Sequence, residues 1–301
     1  MKKLIKYSVL VILILSVTFQ LGCNNQIGKG EPTALIRCDD IGMCHAVNIA
    51  TQRLVDTGIP FSASIMFCCP WYQEAVEILK NQTQVSCGVH LTLNAEWKNY
   101  RWGPILGKEA VPSLVNEKGF FFPSRKTLFD NNPKIDEVEK ELRAQIERAL
   151  ESDLEIDYID YHMGAAINTP ELVELVENLA DEYELGISRW YGEKDIKGIY
   201  NATPDSKLDT LMSKIKNLKE NQLNLLVFHI GETTPEMNVM EDINEFGLEN
   251  MSRHREAEAD ALCSPRFQNY LKNSNINLVN YKELIKSKGL KNMERPEDYQ
   301  Y

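Results

Sequence analysis

The chain has 301 residues, of which 43% are apolar and 26% are charged, and its formal net charge is −11. This is the composition of a globular protein that is long enough to bury a large core. Proteins that bind nucleic acids use a basic face to neutralise phosphates, so the acidic balance argues against a nucleic acid as the partner.

The first 23 residues have the pattern of a signal peptide. A basic start precedes a short apolar run at residues 10–15, which is too short for a membrane-spanning helix. A Leu-Gly-Cys sequence then ends at Cys23 and resembles a bacterial lipobox, in which the cysteine is acylated after cleavage. We therefore expect a lipoprotein signal peptide (1–23), a polar tether (24–31), and an exported protein held in the cell envelope by a lipid anchor. Plain secretion and an uncleaved anchor are the alternatives.

Six further cysteines show no C-x-x-C or zinc-finger spacing, so the sequence predicts no structural zinc site. Several lie in apolar runs, where cysteine is usually a small buried hydrophobic residue. We predict no defined disulfide pattern. The six are Cys38, Cys44, Cys68, Cys69, Cys87 and Cys263.

Short apolar runs alternate with amphipathic stretches from Pro32 onward, which predicts a parallel α/β sheet, either open or closed into a barrel. We assign one domain to residues 32–285 and a charged tail to residues 286–301. The predicted strands are 34–38, 62–67, 85–89, 156–161, 186–189, 224–228 and 276–280. The predicted helices are 135–150, 169–179, 208–218 and 256–271.

One segment of about forty residues, 94–133, has no strong periodicity but is rich in aromatic residues. Its aromatic content argues against disorder. Two interpretations stay open. The segment is either a loop that covers a sugar substrate, with Trp97 and Trp102 packing on sugar rings, or a satellite hydrophobic cluster.

Groups that bind metals or transfer protons follow four of the predicted strands. Asp39 and Asp40 follow the first, and His90, His162 and His229 each follow a later one. A single histidine beside an apolar run is more often a core residue. Four strand ends that share the feature indicate a site, because the carboxyl ends of parallel strands gather on one face.

Two histidines and one carboxylate form a known ligand set for catalytic metals, and this set leaves a coordination position open. Asp39 and Asp40 must have different roles, because neighbours on an extended chain point to opposite sides. One of them can bind the ion while the other faces the reacting water. A turn or helix cap would explain the two aspartates but not the histidines.

Four motifs resemble, in the same order, those of the YdjC-like (ChbG/HpnK) carbohydrate deacetylases. They are Arg37–Gly42, Gly88–Leu91, Ile159–His162 and Phe228–Glu232. The similarity covers about Ala34 to Tyr281 and includes Glu141–Ile146 and Arg255-Glu256 followed by Leu262. It implies a distorted (β/α) barrel, one divalent metal ion (Mg²⁺ or Zn²⁺), and removal of acetyl groups from N-acetylated sugars or oligosaccharides.

The resemblance also implies roles for individual residues. Asp40, His90 and His162 match the metal ligands of the family, Asp39 matches the catalytic base, and His229 matches the histidine that acts as the acid. The implied reaction is metal-assisted hydrolysis of an amide, in which Asp39 takes a proton from water and His229 protonates the leaving amine.

Arg189 matches a basic residue near the substrate pocket of the family. Two departures concern the neighbours of the matched histidines. Met163 and Gly164 replace the Gln and second His that usually follow the ligand histidine, and Ile230 replaces the proline that usually follows the acid. These changes leave the identity of the sugar and the shape of the loop at His229 open.

Two other functions fit parts of the sequence. A glycoside hydrolase would use two carboxylic acids, for which Asp39 and Asp160 are available, but the histidines would then have no role. A non-catalytic, glycan-binding surface lipoprotein that kept the fold is the third interpretation.

Overall fold

Eight short strands form one parallel sheet in the computed structural model, which describes residues 30–296. They are β1 (Thr33–Ile41), β2 (Phe61–Ile65), β3 (Val85–Leu91), β4 (Ile156–Tyr161), β5 (Gly186–Ile187), β6 (Lys194–Asp195), β7 (Leu223–Phe228) and β8 (Asn277–Val279). All pairings between these strands are parallel, so their carboxyl ends lie at one end of the sheet.

The sheet curls into a half-barrel. The strand order is β5-β4-β3-β2-β1-β7-β6, and β8 pairs with the first residues of β1. The two edge strands, β5 and β6, are not paired with each other, but their ends are close. Arg189, which follows β5, forms an ion pair of 2.8 Å with Asp195 of β6. The predicted distorted (β/α) barrel is confirmed.

Nine α-helices lie in the part of the chain that the structure describes. They are α1 (His45–Asp56), α2 (Tyr72–Leu79), α3 (Arg125–Asp130), α4 (Ile135–Leu150), α5 (Pro170–Glu182), α6 (Lys207–Lys216), α7 (Met251–Cys263), α8 (Pro265–Lys272) and α9 (Tyr281–Lys288). The predicted spacing on α4 is confirmed, since Val138, Leu142 and Ile146 are buried on one face.

The prediction of one continuous helix over residues 256–271 is wrong. The chain forms α7 and α8 instead, with a break at Ser264. Pro265 has no backbone N–H and so cannot continue the hydrogen-bond ladder of α7. The Ser264 hydroxyl accepts a hydrogen bond of 3.1 Å from the backbone N–H of Phe267, which caps the new helix.

The predicted signal peptide (1–23) and most of the tether (24–31) lie outside the described residues. At the other end, α9 continues to Lys288, and the backbone N–H of Glu294 donates to the carbonyl of Trp190 at 2.8 Å. No helix within residues 30–296 is both long and apolar enough to cross a membrane. The six cysteines of this part are free thiols.

The aromatic segment 94–133 is folded. It contains a 3₁₀ turn at Pro112–Leu114 and the helix α3, and its side chains Trp97, Trp102 and Phe121 are buried. The segment therefore forms a hydrophobic cluster, and it also contributes one wall of the site described below.

Candidate active site

Three strands bring the predicted metal ligands together at their carboxyl ends. Asp40 is in β1, His90 is in β3, and His162 directly follows β4. Oδ1 of Asp40 lies 3.1 Å from Nδ1 of His162 and 3.4 Å from Nε2 of His90. The three candidate ligand atoms lie within 4.8 Å of one another, and all three residues are buried.

The backbone at Asp40 is strained. Its φ is 63°, in the left-handed region that non-glycine residues rarely adopt, and such strain is frequent at functional sites. The carbonyl of Asp40 accepts the N–H of Met43 at 3.0 Å, which closes a turn at the end of β1. Gly42 is required in this turn, because its φ is 82° and a Cβ would lie 2.9 Å from Cα of Tyr72.

Each histidine of the cluster is held by a carboxylate on the side facing away from Asp40. Nδ1 of His90 lies 2.8 Å from Oδ1 of Asp160, and Nε2 of His162 lies 3.0 Å from Oε2 of Glu96. Metal-ligating histidines typically use their second nitrogen in this way, which fixes the ring and its tautomer. The residues present therefore fit a divalent metal ion.

The charges of the cluster also favour a cation. Burial opposes the charged form of Asp40, but the Arg255 guanidinium, 2.6 Å away, and the two imidazoles hold the pKa of this carboxyl well below its usual range. Burial likewise disfavours protonated His90, yet the Asp160 carboxylate raises the pKa of His90 to about 9. The carboxylates thus stabilise a positive charge at this site. A bound cation would provide that charge while both imidazoles stay neutral, as metal ligands must be.

Asp39 is held by Arg37. The guanidinium contacts both carboxylate oxygens of Asp39 at 2.7 Å and also donates to the Ser188 hydroxyl at 2.6 Å. Burial would raise the pKa of Asp39, but Arg37 outweighs this effect and lowers it. The predicted base is therefore ionised and fixed in orientation.

His229 directly follows β7, and its backbone is held by a buried ion pair. Its N–H donates to Oε2 of Glu258 at 2.7 Å, and Oε1 of Glu258 lies 2.9 Å from Nζ of Lys207. Nζ of Lys207 also donates to the carbonyl of Tyr200, whose ring packs edge-on against the His229 imidazole at 5.4 Å. Nδ1 of His229 is buried and, within residues 30–296, has no hydrogen-bond partner.

One cavity of about 730 Å³ joins these groups, a size typical of small-molecule sites. The predicted metal ligands, base and acid all line it: Asp39, Asp40, His90, His162 and His229.

The three predicted substrate-binding residues are placed differently. Trp97 lines the cavity, although the residue is 1% exposed. Trp102 does not line it: its ring lies 6.2 Å from that of His162, and its indole N–H donates to the carbonyl of Asn94. Arg189 lines a separate cavity, where it forms its ion pair with Asp195.

Two site residues, Glu96 and Arg255, have no role predicted from the sequence. Arg255 belongs only to the family resemblance, but its guanidinium contacts Asp40 and lies 5.5 Å from the Trp97 ring centroid. Glu96 is buried in the aromatic segment. In the sequence, Glu96 is marked as a site residue only by its position between Ala95 and Trp97, and an acid beside apolar residues is a weak indication of a site.

Comparison with known proteins assigns the family. The model of the YdjC-like protein family matches residues 33–273. A carbohydrate deacetylase of Enterococcus faecalis is 29% identical over 264 residues, covering 83% of this chain and 97% of the relative. A carbohydrate deacetylase of Thermoanaerobacter pseudethanolicus is 27% identical over 252 residues, covering 82% and 97%. A crystal structure of an Enterococcus faecalis V583 protein has the same fold, with a TM-score of 0.68, 21% identity, and coverage of 84% of this chain and 99% of that one. The chain belongs to the YdjC-like protein family.

Proposed function

We propose that this protein is a metal-dependent hydrolase that removes acetyl groups from N-acetylated amino sugars or oligosaccharides. The observation that carries the proposal is the cluster of Asp40, His90 and His162 at one end of the sheet, in a cavity that also contains Asp39 and His229. The relatives named carbohydrate deacetylase support the same reaction.

We propose one divalent ion, Mg²⁺ or Zn²⁺, held by Asp40, His90 and His162. Two imidazoles suit Zn²⁺, whereas the carboxylate suits either ion. When bound, such an ion polarises the amide carbonyl and lowers the pKa of water, which makes water a nucleophile near neutral pH.

The residues of the chain then move the protons. Asp39 is ionised and accepts the proton of the attacking water, while Arg37 holds its carboxylate in place. His229 protonates the nitrogen as the C–N bond breaks, because without this proton the nitrogen would have to leave as a strongly basic amide anion. Arg255 donates to Oδ2 of Asp40, which orients the carboxylate ligand.

A glycoside hydrolase is disfavoured by the position of Asp160. This carboxylate is fully buried, does not line the cavity, and is engaged by His90, Ser64 and Arg37. It therefore cannot flank a glycosidic bond together with Asp39.

The direct test is incubation of the metal-loaded protein with N-acetylglucosamine oligosaccharides, with acetate and product length both measured. We expect acetate release without shortening of the chain, and loss of the activity in Asp40→Ala. Shorter products would indicate a glycosidase. Oligosaccharide binding without acetate release, by protein shown to contain metal, would indicate a glycan-binding protein.

We also propose that the protein is exported and anchored in the membrane through an acylated Cys23. The basic start, the apolar run at residues 10–15 and the Leu-Gly-Cys sequence support this. Mass spectrometry of the mature N-terminus should find a lipid on Cys23 and fractionation should find the protein in membranes. Cys23→Ser should abolish both, and a soluble mature protein without lipid would contradict the proposal.

A further inference from the structure

One side of the cavity mouth is formed by a loop that carries exposed apolar side chains. Residues 242–246, between β7 and α7, line the cavity. Within this loop Phe246 is 67% exposed and Ile243 is 43% exposed. Exposed apolar groups at the rim of a cavity are typical of ligand-binding grooves.

The loop is fixed against the aromatic segment. The backbone N–H of Ile243 donates to the carbonyl of Glu96 at 3.0 Å, and the N–H of Lys98 donates to the carbonyl of Glu241 at 2.9 Å. The side-chain amide of Asn244 donates to the carbonyl of Pro123 at 2.9 Å. Phe246 therefore belongs to a loop that is anchored at several points and is already in place before a ligand arrives.

The tryptophans of the aromatic segment do not offer such a surface. Trp97 is 1% exposed and Trp102 is 5% exposed, so neither ring face is open to a sugar at the mouth. The apolar contact surface at the mouth is instead provided by Phe246 and Ile243 of the loop.

We propose that Phe246 and Ile243 form a subsite for the sugar unit next to the one that is deacetylated. The inference rests on the proposed function. The metal ligands are buried, so the reacting unit must occupy the inner cavity, and a unit linked to it extends toward the mouth. A pyranose ring presents C–H groups on its face, and an aromatic face with its negative quadrupole attracts them.

The test compares Phe246→Ala with the unchanged protein on N-acetylglucosamine and its oligomers of two to four units. We expect KM for the oligomers to rise about tenfold with little change in kcat, and kinetics on the monosaccharide to stay the same. Two control variants, Trp71→Ala and Val239→Ala, remove apolar side chains that are 39% and 61% exposed but do not line the cavity. Both should leave every KM unchanged.

A Phe246→Ala variant with the same dependence on chain length as the unchanged protein would overturn the subsite while leaving the deacetylase proposal intact. Calorimetric titration of the metal-loaded protein with the tetramer tests the subsite without turnover. Binding should weaken about tenfold in Phe246→Ala and not in Val239→Ala. If acetate is never released but this difference in binding is found, the deacetylase proposal fails, and Phe246 is a contact for a bound oligosaccharide rather than for the neighbour of a deacetylated unit.

Discussion

Oε2 of Glu96 lies 3.0 Å from Nε2 of His162, on the side of the imidazole opposite to the nitrogen that faces Asp40. The aromatic segment thus supplies a carboxylate that orients a ligand presented by the sheet. Glu96 lies 66 residues before His162 in the chain, so the orienting partner of this residue comes from a different segment.

Replacing Glu96 by Gln should weaken metal binding about 10- to 100-fold, because the side chain keeps its shape but loses the charge that orients and polarises His162. Titration of the metal-free protein with Zn²⁺ and Mg²⁺, followed by calorimetry, measures this affinity. Glu245→Gln is the control, since Glu245 also lines the cavity but is not among the residues that, within 30–296, pair with Asp40, His90 or His162. Equal affinities in both variants would show that Glu96 does not act on the metal ligand.

Replacing Asp39 by Asn should lower kcat at least about a hundredfold while the metal stays bound, because the variant loses the general base but not a ligand. Acetate release and metal content, measured on the same preparation, check the two halves of this expectation. Full activity in Asp39→Asn would assign the base to another residue, whereas loss of the metal would make Asp39 a ligand.

Replacing Lys207 by Met should destabilise the protein by about 3–5 kcal/mol, because the fully buried carboxylate of Glu258 loses its cation. Urea unfolding measures the change in stability. Lys98→Met is the control: its ion pair with Glu241 has a similar distance but is exposed, so the loss should be far smaller.

The double variant Lys207→Met/Glu258→Leu extends this prediction. It should regain part of the stability, because no buried charge is left uncompensated. It should still turn over more slowly than the unchanged protein, because the N–H of His229 has lost its acceptor. Normal turnover in the folded double variant would show that the ion pair does not position His229.

Removing the metal with a chelator should abolish acetate release and lower the melting temperature. A ligand that binds only the folded state at 100 times its Kd stabilises it by about 2.7 kcal/mol, which corresponds to several degrees in a chain of this size. Adding Mg²⁺ or Zn²⁺ back should restore both properties and identify the ion. His162→Ala should show no such dependence of the melting temperature on metal.

The sequence by itself determined the alternation of strands and helices and the placement of acids and histidines at strand ends. Both follow from local rules, since a buried parallel strand is a short apolar run and its carboxyl end is where the chain turns outward. That is why Asp40, His90 and His162 were identified together. The end of β1 is different, since the strand is predicted to end at Cys38 but continues to Ile41. The two acids after Cys38 are buried through contacts with Arg37 and Arg255, which an apolar pattern does not show.

Only the tertiary structure decided which residues support the ligands and which form the mouth of the cavity. Glu96 is 66 residues from His162 along the chain, and Arg255 is 215 residues from Asp40. Contacts over such separations leave no periodic pattern, because they depend on how packed elements meet. The same reason explains why Trp102 is buried while Phe246, in a segment without regular structure, lies at the entrance.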